Sequence, residues 1–149
     1  MSDAGIVIVN RSGLPVNESR VKLLVAELLI RTGLPAGEIG VTFVAEAEMS
    51  RLNREHMGRG GSTDVLSFPI DAGGAPGRAG APLLLGDIVI CPQVAARQAE
   101  AAGTSLAEEL CLLIIHGTLH LAGFDHEADN GAMDRKQAEL VDALCREDG

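Results

Sequence analysis

The sequence predicts a single α/β or α+β domain in which a small four-stranded sheet packs against about five helices. Two observations predict this class. Short Val- and Ile-rich runs alternate along the chain with longer segments of helical apolar periodicity. The chain has 149 residues, which fits one ordinary domain covering residues 1–149. Because hydrophobic residues make up 46% of the sequence and aromatic ones only 2%, the core is expected to consist of aliphatic side chains.

The first half of the chain is predicted to contain two strands and two helices. Residues 5–10 form a β-branched run bounded by glycine and polar residues, as expected for a strand. Residues 17–32 carry apolar side chains at helical spacing, and Asn17 is a suitable N-cap for that helix. Residues 38–45 are predicted to form the second strand, and the Ala- and Glu-rich residues 45–56 a short helix.

The next segment of the chain is predicted to add two more strands. Residues 63–68 form the third strand and residues 84–91 the fourth. Between them, residues 72–82 are rich in Gly, Ala and Pro, which predicts an exposed loop. A proline at the start of residues 92–102 is typical of a helix N-terminus, so a helix is predicted there.

Two helices are predicted to complete the domain. Ser105 and Glu108 have the spacing of a capping box, which places a helix start at this point. Residues 106–121 are apolar on almost every side, so this helix should be the buried central one. Gly123 is a suitable end for it. Residues 129–145 are predicted to form a last, amphipathic helix.

The net charge of the chain bears on whether it is expected to bind nucleic acid. The formal net charge is −9, and Lys22 and Lys136 are the only lysines. Indiscriminate binding to nucleic acid is therefore not expected, because a positive field over the whole protein is absent. Arg51, Arg54 and Arg59 lie close together in the sequence and leave room for a local basic patch.

The cysteines and the hydropathy pattern indicate the cellular compartment in which the protein is expected. Cys91, Cys111 and Cys145 are odd in number and far apart, which predicts neither a disulfide framework nor a thiolate metal site. Buried thiols in a reducing compartment are expected instead. The sequence has no uncharged apolar run of about 18 residues and no signal-peptide pattern at its start. We therefore expect a cytoplasmic protein without a membrane partner.

Three of the four histidines, His116, His120 and His126, fall within one short segment. His116 and His120 are four residues apart on the predicted central helix, so their imidazoles lie on one face and can converge on one ion. A turn at Gly123 can bring His126 to the same ion. Histidines that are merely hydrogen-bonded in the core are the alternative, but each would need a buried partner. The sequence therefore predicts a three-histidine metal site for one zinc ion, with nickel, copper and iron as alternatives.

The spacing of the histidines is that of a zincin. It matches the metzincin pattern H-E-x-x-H-x-x-G-x-x-H, except that Gly117 stands where those peptidases have their general-base glutamate. Three imidazoles without a fourth Cys or His nearby predict an open coordination position, as in catalytic sites. Asp125, Glu127 and Asp129 flank the third histidine, and each is either a base, a hydrogen-bond acceptor for a ligand, or a solvated turn carboxylate.

The motif HGTLHLAGFDH, residues 116–126, closely resembles the signature of the YbeY family of bacterial endoribonucleases. LNREHMGRGGSTDVLSFP, residues 52–69, and LLGDIVIC, residues 84–91, resemble two further blocks of that family. Met133 and Gln137 also fit its C-terminal helix. Several blocks in the same order over most of the chain make this a specific resemblance.

The resemblance implies a fold, an activity and a set of partners. The fold would be one domain with a small mixed sheet, surrounding helices and a metal held by His116, His120 and His126. The activity would be hydrolysis of single-stranded RNA in ribosomal RNA maturation and ribosome quality control. The implied partners are single-stranded ribosomal RNA, the small ribosomal subunit and assembly factors such as the Era GTPase.

Further site residues are predicted from the second block and from the histidine motif. Met57 stands where the family usually has an arginine, and Arg59 stands at a lysine position. Arg59 is therefore the candidate catalytic cation, which would stabilise charge on phosphoryl oxygens, and Asp125 is a candidate catalytic carboxylate. The candidates for substrate binding are Arg54, Thr63 and Ser67, although strand-end packing and solvation are alternative explanations for them.

Two other functions remain open at this level. A non-catalytic ribosome assembly factor with a structural metal is favoured by Met57 and by the acidity of the chain. A metallopeptidase would require another carboxylate near the metal to replace the missing glutamate at Gly117.

Overall fold

The computed structural model describes residues 5–34, 37–57, 63–69, 84–124 and 131–145. Within these residues the strands are β1 (Ile6–Arg11), β2 (Glu38–Val44), β3 (Val65–Pro69) and β4 (Leu84–Ile90). The helices are α1 (Glu18–Thr32), α2 (Glu46–Met57), α3 (Pro92–Ala102), α4 (Leu106–Leu121) and α5 (Ala132–Leu144). Every predicted strand and helix is present, while the predicted loop at 72–82 lies outside the described residues. None of the described helices is long and apolar enough to cross a membrane.

The four strands form one mixed sheet in the order β1-β2-β4-β3. β1, β2 and β4 are parallel, and β3 runs antiparallel along the outer side of β4. Helix α1 makes the crossover between the parallel strands β1 and β2, as such a pair requires. Pro69 ends β3 on an edge strand, where its missing N–H is tolerated. The predicted small mixed sheet of an α+β domain is confirmed.

Helix α4 lies at the centre of the main core. Its buried residues are Leu110, Leu113, Ile114, Ile115, Gly117, Thr118, Leu119 and Leu121. They pack with α1 and with one face of the sheet, on which Val41, Phe43 and Ile88 are fully buried. Each such apolar side chain contributes about 1.5–3 kcal/mol when it leaves water. The prediction that α4 is the buried central helix is therefore confirmed.

Helix α2 covers part of the opposite face of the sheet. A smaller buried cluster lies beneath it and consists of Val44, Met49, Leu66, Val89 and Cys91. Phe68 of β3 packs against this cluster, and the ring of His56 contacts Phe68 edge-on with centroids 5.0 Å apart. His56 is exposed, and this contact places the C-terminal end of α2 beside β3.

The beginnings of α1 and α4 are fixed by hydrogen bonds that the sequence predicted. The Asn17 side chain accepts from the Arg20 backbone N–H at 3.1 Å. At α4 the Ser105 hydroxyl accepts from the Glu108 N–H at 3.0 Å, and the Glu108 carboxylate accepts from the Ser105 N–H at 3.1 Å. Caps of this kind stabilise a helix by about 1 kcal/mol each. The capping box therefore fixes the residue at which α4 begins.

The expectation that the cysteines are free thiols is wrong for two of them. Cys111 of α4 and Cys145 at the end of α5 form a disulfide, with their Cα atoms 5.6 Å apart. Because α5 runs back along α4, residues separated by 34 positions become neighbours, which the linear spacing did not reveal. Cys91 is buried and free, as expected. Burial raises the pKa of the Cys91 thiol, which keeps it protonated and unsuited to bind a metal.

Reduction of the disulfide is expected to lower the free energy of unfolding by about 3–4 kcal/mol, because the bond closes a loop of 34 residues. Denaturation in urea, with and without dithiothreitol, measures this change. The double variant Cys111→Ser, Cys145→Ser is the matched control, since the reductant should leave its stability unchanged. Equal stability of the oxidised and reduced wild-type protein would contradict the stabilising role of the bond.

Candidate metal centre

His116 and His120 lie on the last turns of α4, with half-buried side chains. Their Nε2 atoms are 3.1 Å apart. The ring centroids are 4.7 Å apart and the ring planes are inclined by 77°. The four-residue spacing therefore brings both imidazoles to one point, as the sequence predicted.

The distance between the two Nε2 atoms suits a shared ion. Two nitrogens that each lie about 2.0–2.1 Å from a tetrahedral zinc are about 3.3 Å apart, and the observed separation is 3.1 Å. The same separation suits a hydrogen bond between the rings, in which one Nε2 carries a proton that a bound ion would displace. The histidine pair therefore fits two positions of a metal site with little rearrangement.

Helix α5 contributes a polar contact to the same histidine pair. Nδ1 of His116 lies 2.8 Å from Oε1 of Gln137, which is 21 positions away in the sequence. Metal-binding histidines generally donate their second ring N–H to an acceptor of this kind. Local sequence patterns predict no role for Gln137 in the site, because this contact exists only after α5 has folded back on α4.

The chain turns sharply after His120. Gly123 has a φ of +97°, in the left-handed region that favours glycine. The Gly123 N–H donates to the His120 carbonyl and the Phe124 N–H to the Leu119 carbonyl, both at 3.0 Å. These two bonds form a Schellman motif, and Phe124 packs against the core beyond it. The predicted glycine break at the end of the central helix is confirmed.

The remainder of the predicted site lies outside the described residues. This applies to the third ligand His126, to the flanking Asp125, Glu127 and Asp129, and to Arg59. Among the residues that the structure does describe, no group of three His, Cys, Asp or Glu side chains is placed to hold a metal ion. The zincin-like three-histidine site therefore stays a prediction, with the first two imidazoles placed.

Gly117 lies where α4 crosses the sheet. A Cβ atom at this position would lie 2.8 Å from Cγ2 of Ile88 and 3.1 Å from Oγ of Ser67. Ile88 is fully buried and β-branched, so it has little freedom to move away. The glutamate that metzincins carry at this position has no room here. This packing counts against the metallopeptidase alternative.

Two of the predicted substrate-binding residues, Ser67 and Thr63, differ in their position relative to the histidines. The Ser67 hydroxyl donates to the Gly117 carbonyl at 3.3 Å, next in sequence to His116. Thr63 precedes β3 and its hydroxyl lies 3.4 Å from the Asp64 carboxylate. The four residues from Thr63 to Ser67 span about 13 Å in an extended chain. The structure thus brings Ser67, but not Thr63, close to the histidine-bearing turn, and both roles stay predictions.

A separate polar cluster, which the sequence did not predict, surrounds Asp64. With its amide turned so that the nitrogen, not the oxygen, faces the two carboxylates, Gln98 donates to Asp64 Oδ2 at 2.9 Å and to Glu109 Oε2 at 3.1 Å. Burial, and next the charge of Asp64, raise the pKa of the Glu109 carboxyl. Glu109 precedes Gly117 by eight residues, which is about 12 Å along a helix. The cluster therefore joins the start of β3 to α3 and α4, away from the histidines.

The two arginines of α2 differ in their surroundings. Arg51 forms ion pairs with Glu48 at 3.8 Å and with Glu55 at 3.4 Å. Arg54 is exposed and pairs with no carboxylate among the described residues. Met57, at the position where an arginine was expected by resemblance, is the last residue of α2. Arg54 is thus the cation of α2 whose charge is available to an anionic ligand.

The family model and two of the individual proteins that this chain resembles carry the same description. The family model described as Endoribonuclease YbeY matches residues 10–145. The Endoribonuclease YbeY of Thermobifida fusca is 49% identical over 124 residues, covering 81% of this chain and 80% of that protein. That of Salinispora tropica is 47% identical over 129 residues, covering 81% and 82%. The solution structure of TM1509 from Thermotoga maritima is similar with a TM-score of 0.63 and 28% identity, covering 93% of this chain and 88% of that one.

The substitution Gly117→Ala is expected to lower the free energy of unfolding by about 1–2 kcal/mol, because overpacking against Ile88 outweighs the gain in helix propensity. Urea denaturation of the two proteins measures the change. The double variant Gly117→Ala, Ile88→Ala is the control, because removal of the Ile88 side chain makes room for the new methyl group. Its loss of stability should be smaller than the sum of the two single losses, and additive losses would contradict the proposed contact.

Proposed function

Because this chain belongs to the Endoribonuclease YbeY family, we propose that it is a metal-dependent endoribonuclease that hydrolyses single-stranded RNA. The observation that carries the proposal is the convergence of the His116 and His120 Nε2 atoms, 3.1 Å apart. The proposed substrate is precursor ribosomal RNA, and the proposed role is its maturation together with ribosome quality control. The proposed partners are the small ribosomal subunit and assembly factors such as the Era GTPase, in the cytoplasm.

The metal ligands in this proposal are His116, His120 and His126. Neutral imidazoles would leave a divalent ion its full charge, and zinc is the first choice, with nickel as an alternative. When bound, the ion would supply Lewis acidity for hydrolysis of the phosphodiester bond. The half-buried position of the first two histidines supports the proposal, because it removes part of the competing water from around their rings.

Other residues are proposed to hold the substrate and to move protons. Arg54 is exposed near the end of α2, and we assign it to bind a backbone phosphate. Arg59 is proposed to stabilise charge that develops on the phosphoryl oxygens. Asp125, which precedes His126, is the proposed proton-transferring carboxylate. The Ser67 hydroxyl already donates to the Gly117 carbonyl, so its proposed contribution is to hold β3 beside the histidines.

Ion pairing on the surface favours one alternative, a ribosome assembly factor without nuclease activity. Four of the described arginines each pair with a glutamate, namely Arg11, Arg31, Arg51 and Arg97. Pairing reduces the positive charge that these residues offer to RNA. In this alternative the metal stabilises the fold, and RNA or protein binding proceeds without cleavage.

The two functions are distinguished by a cleavage experiment. Incubation of a labelled single-stranded ribosomal RNA precursor with the zinc-loaded protein is expected to give defined products, and a chelator should abolish them. His120→Ala removes one imidazole and should reduce cleavage to the level seen with the chelator. The products are resolved on a denaturing gel, with the complementary duplex as the control for strand specificity.

The cleavage assay requires protein that is folded and loaded with zinc. Circular dichroism and bound-zinc content establish both properties before the assay. Absence of cleavage by such a protein, together with retained RNA binding, would overturn the nuclease and support the assembly factor. Cleavage that persists in His120→Ala and with chelator would show that a contaminating nuclease or a different site is responsible.

Arg54→Ala is expected to weaken RNA binding several-fold and to reduce the slope of log affinity against log salt by about 0.7, the value for one phosphate contact to a single strand. Arg51→Ala is the matched control from the same helix, because its guanidinium is already engaged by Glu48 and Glu55. Fluorescence anisotropy at several salt concentrations measures both effects. Equal losses from the two variants would contradict a specific phosphate contact at Arg54.

A further inference from the structure

Nε2 of His116, the ring nitrogen that faces His120, can bind a metal only if the proton of the ring is on Nδ1. A neutral imidazole carries one proton, on Nδ1 or on Nε2, and only the unprotonated nitrogen can bind a metal. Nδ1 of His116 lies 2.8 Å from Oε1 of Gln137. An amide oxygen accepts hydrogen bonds and cannot donate them. The proton therefore belongs on Nδ1, and the lone pair of Nε2 points toward His120.

We propose that Gln137 is a positioning residue that holds His116 in this tautomer and ring orientation and thereby raises its affinity for a metal ion. The inference rests on the proposed metal site and adds a residue to it. Gln137 itself would not contact the ion. It acts through the His116 ring, as outer acceptors do in other histidine sites.

Packing of α5 keeps Gln137 in place. Met133 and Leu140 lie one turn before and one turn after Gln137 on the same side of the helix, and each is only 1% exposed. The disulfide between Cys145 and Cys111 ties the end of α5 to α4, the helix that carries His116. Gln137 is thus a half-buried polar side chain between buried apolar ones. Its amide oxygen, the acceptor, is therefore held in a fixed position relative to the His116 ring.

The opposite orientation of the Gln137 amide makes a different prediction. It would place the NH2 group against Nδ1, which would then be the acceptor, and the proton would move to Nε2. That proton would have to leave before a metal could bind. The two orientations can be distinguished in the metal-free protein by the nitrogen chemical shifts of the His116 ring.

The test compares the wild-type protein with Gln137→Met, which keeps the length of the side chain but removes the acceptor, and with Gln137→Glu, which keeps an acceptor. Glu139→Met is the matched control, because the Glu139 side chain lies on the same helix and is 68% exposed. Zinc affinity is measured by competition with a chromogenic chelator. The Met variant at residue 137 should bind zinc about 10- to 100-fold more weakly, while the other two variants stay within about threefold of the wild type.

Nitrogen-15 spectra of the metal-free proteins provide a second measurement that is independent of metal binding and of activity. The wild-type His116 should have its proton on Nδ1, and Gln137→Met should shift the population toward Nε2–H. Unchanged zinc affinity in Gln137→Met, or an Nε2–H tautomer in the wild type, would overturn the positioning role. Tight zinc binding that depends on Gln137 but without RNA cleavage would leave the inference standing and overturn the proposed nuclease activity. Full zinc affinity in His120→Ala would instead overturn the metal site, and with it the metal-binding role of Gln137.

Discussion

At Gly117 the backbone of the central helix packs directly against the Ile88 and Ser67 side chains of the sheet, and the position of both histidines depends on this contact. A Cβ atom there would meet Cγ2 of Ile88 at 2.8 Å, so helix α4 can lie this close to β3 and β4 only because the residue is glycine. Ser67 adds a hydrogen bond from β3 to the Gly117 carbonyl at 3.3 Å. His116 directly precedes this contact and His120 follows it by less than one turn. A larger residue would move the imidazoles together with the helix. The glycine at the position of the metzincin glutamate is therefore required by the packing of α4 on the sheet.

The surroundings of the histidine pair depend on how α4 ends and on how α5 packs along it. The left-handed Gly123 closes the helix with two hydrogen bonds, and Phe124 then packs on the core. Helix α5 comes back along α4, and the disulfide with Cys111 fixes its far end. A consequence is that the Nδ1 side of His116 meets Gln137 from α5, while its Nε2 side meets His120 from α4. The histidine pair is therefore held by contacts from two consecutive helices, through residues up to 21 positions apart in the sequence.

The sequence predicted the features that depend on residues close together in the chain. It missed those that form only when α5 packs against α4. Helix and strand positions, the capping box at Ser105 and the break at Gly123 follow from residue type and periodicity over a few positions, and all are confirmed. The convergence of His116 and His120 was predictable because helical geometry relates residues four apart. The disulfide of Cys111 and the contact of Gln137 were not predictable in this way, because both require that α5 lie against α4. For the same reason the Asp64, Gln98 and Glu109 cluster, whose members come from three parts of the chain, had no signal in the sequence.

The distribution of charge determines how an acidic chain of this kind would act on RNA. The formal net charge is −9, and several described arginines are already paired with glutamates. Physiological salt screens exposed charges beyond about 8 Å, so remote carboxylates have little effect on a phosphate at the histidines. Within that distance, a divalent ion held by neutral imidazoles would be the largest charge in the proposed site. Attraction of the substrate would then depend more on metal loading than on a general basic surface. Under the proposed role of Gln137, loading would depend on which ring nitrogen of His116 carries the proton, so this neutral amide would influence RNA binding without adding any charge of its own.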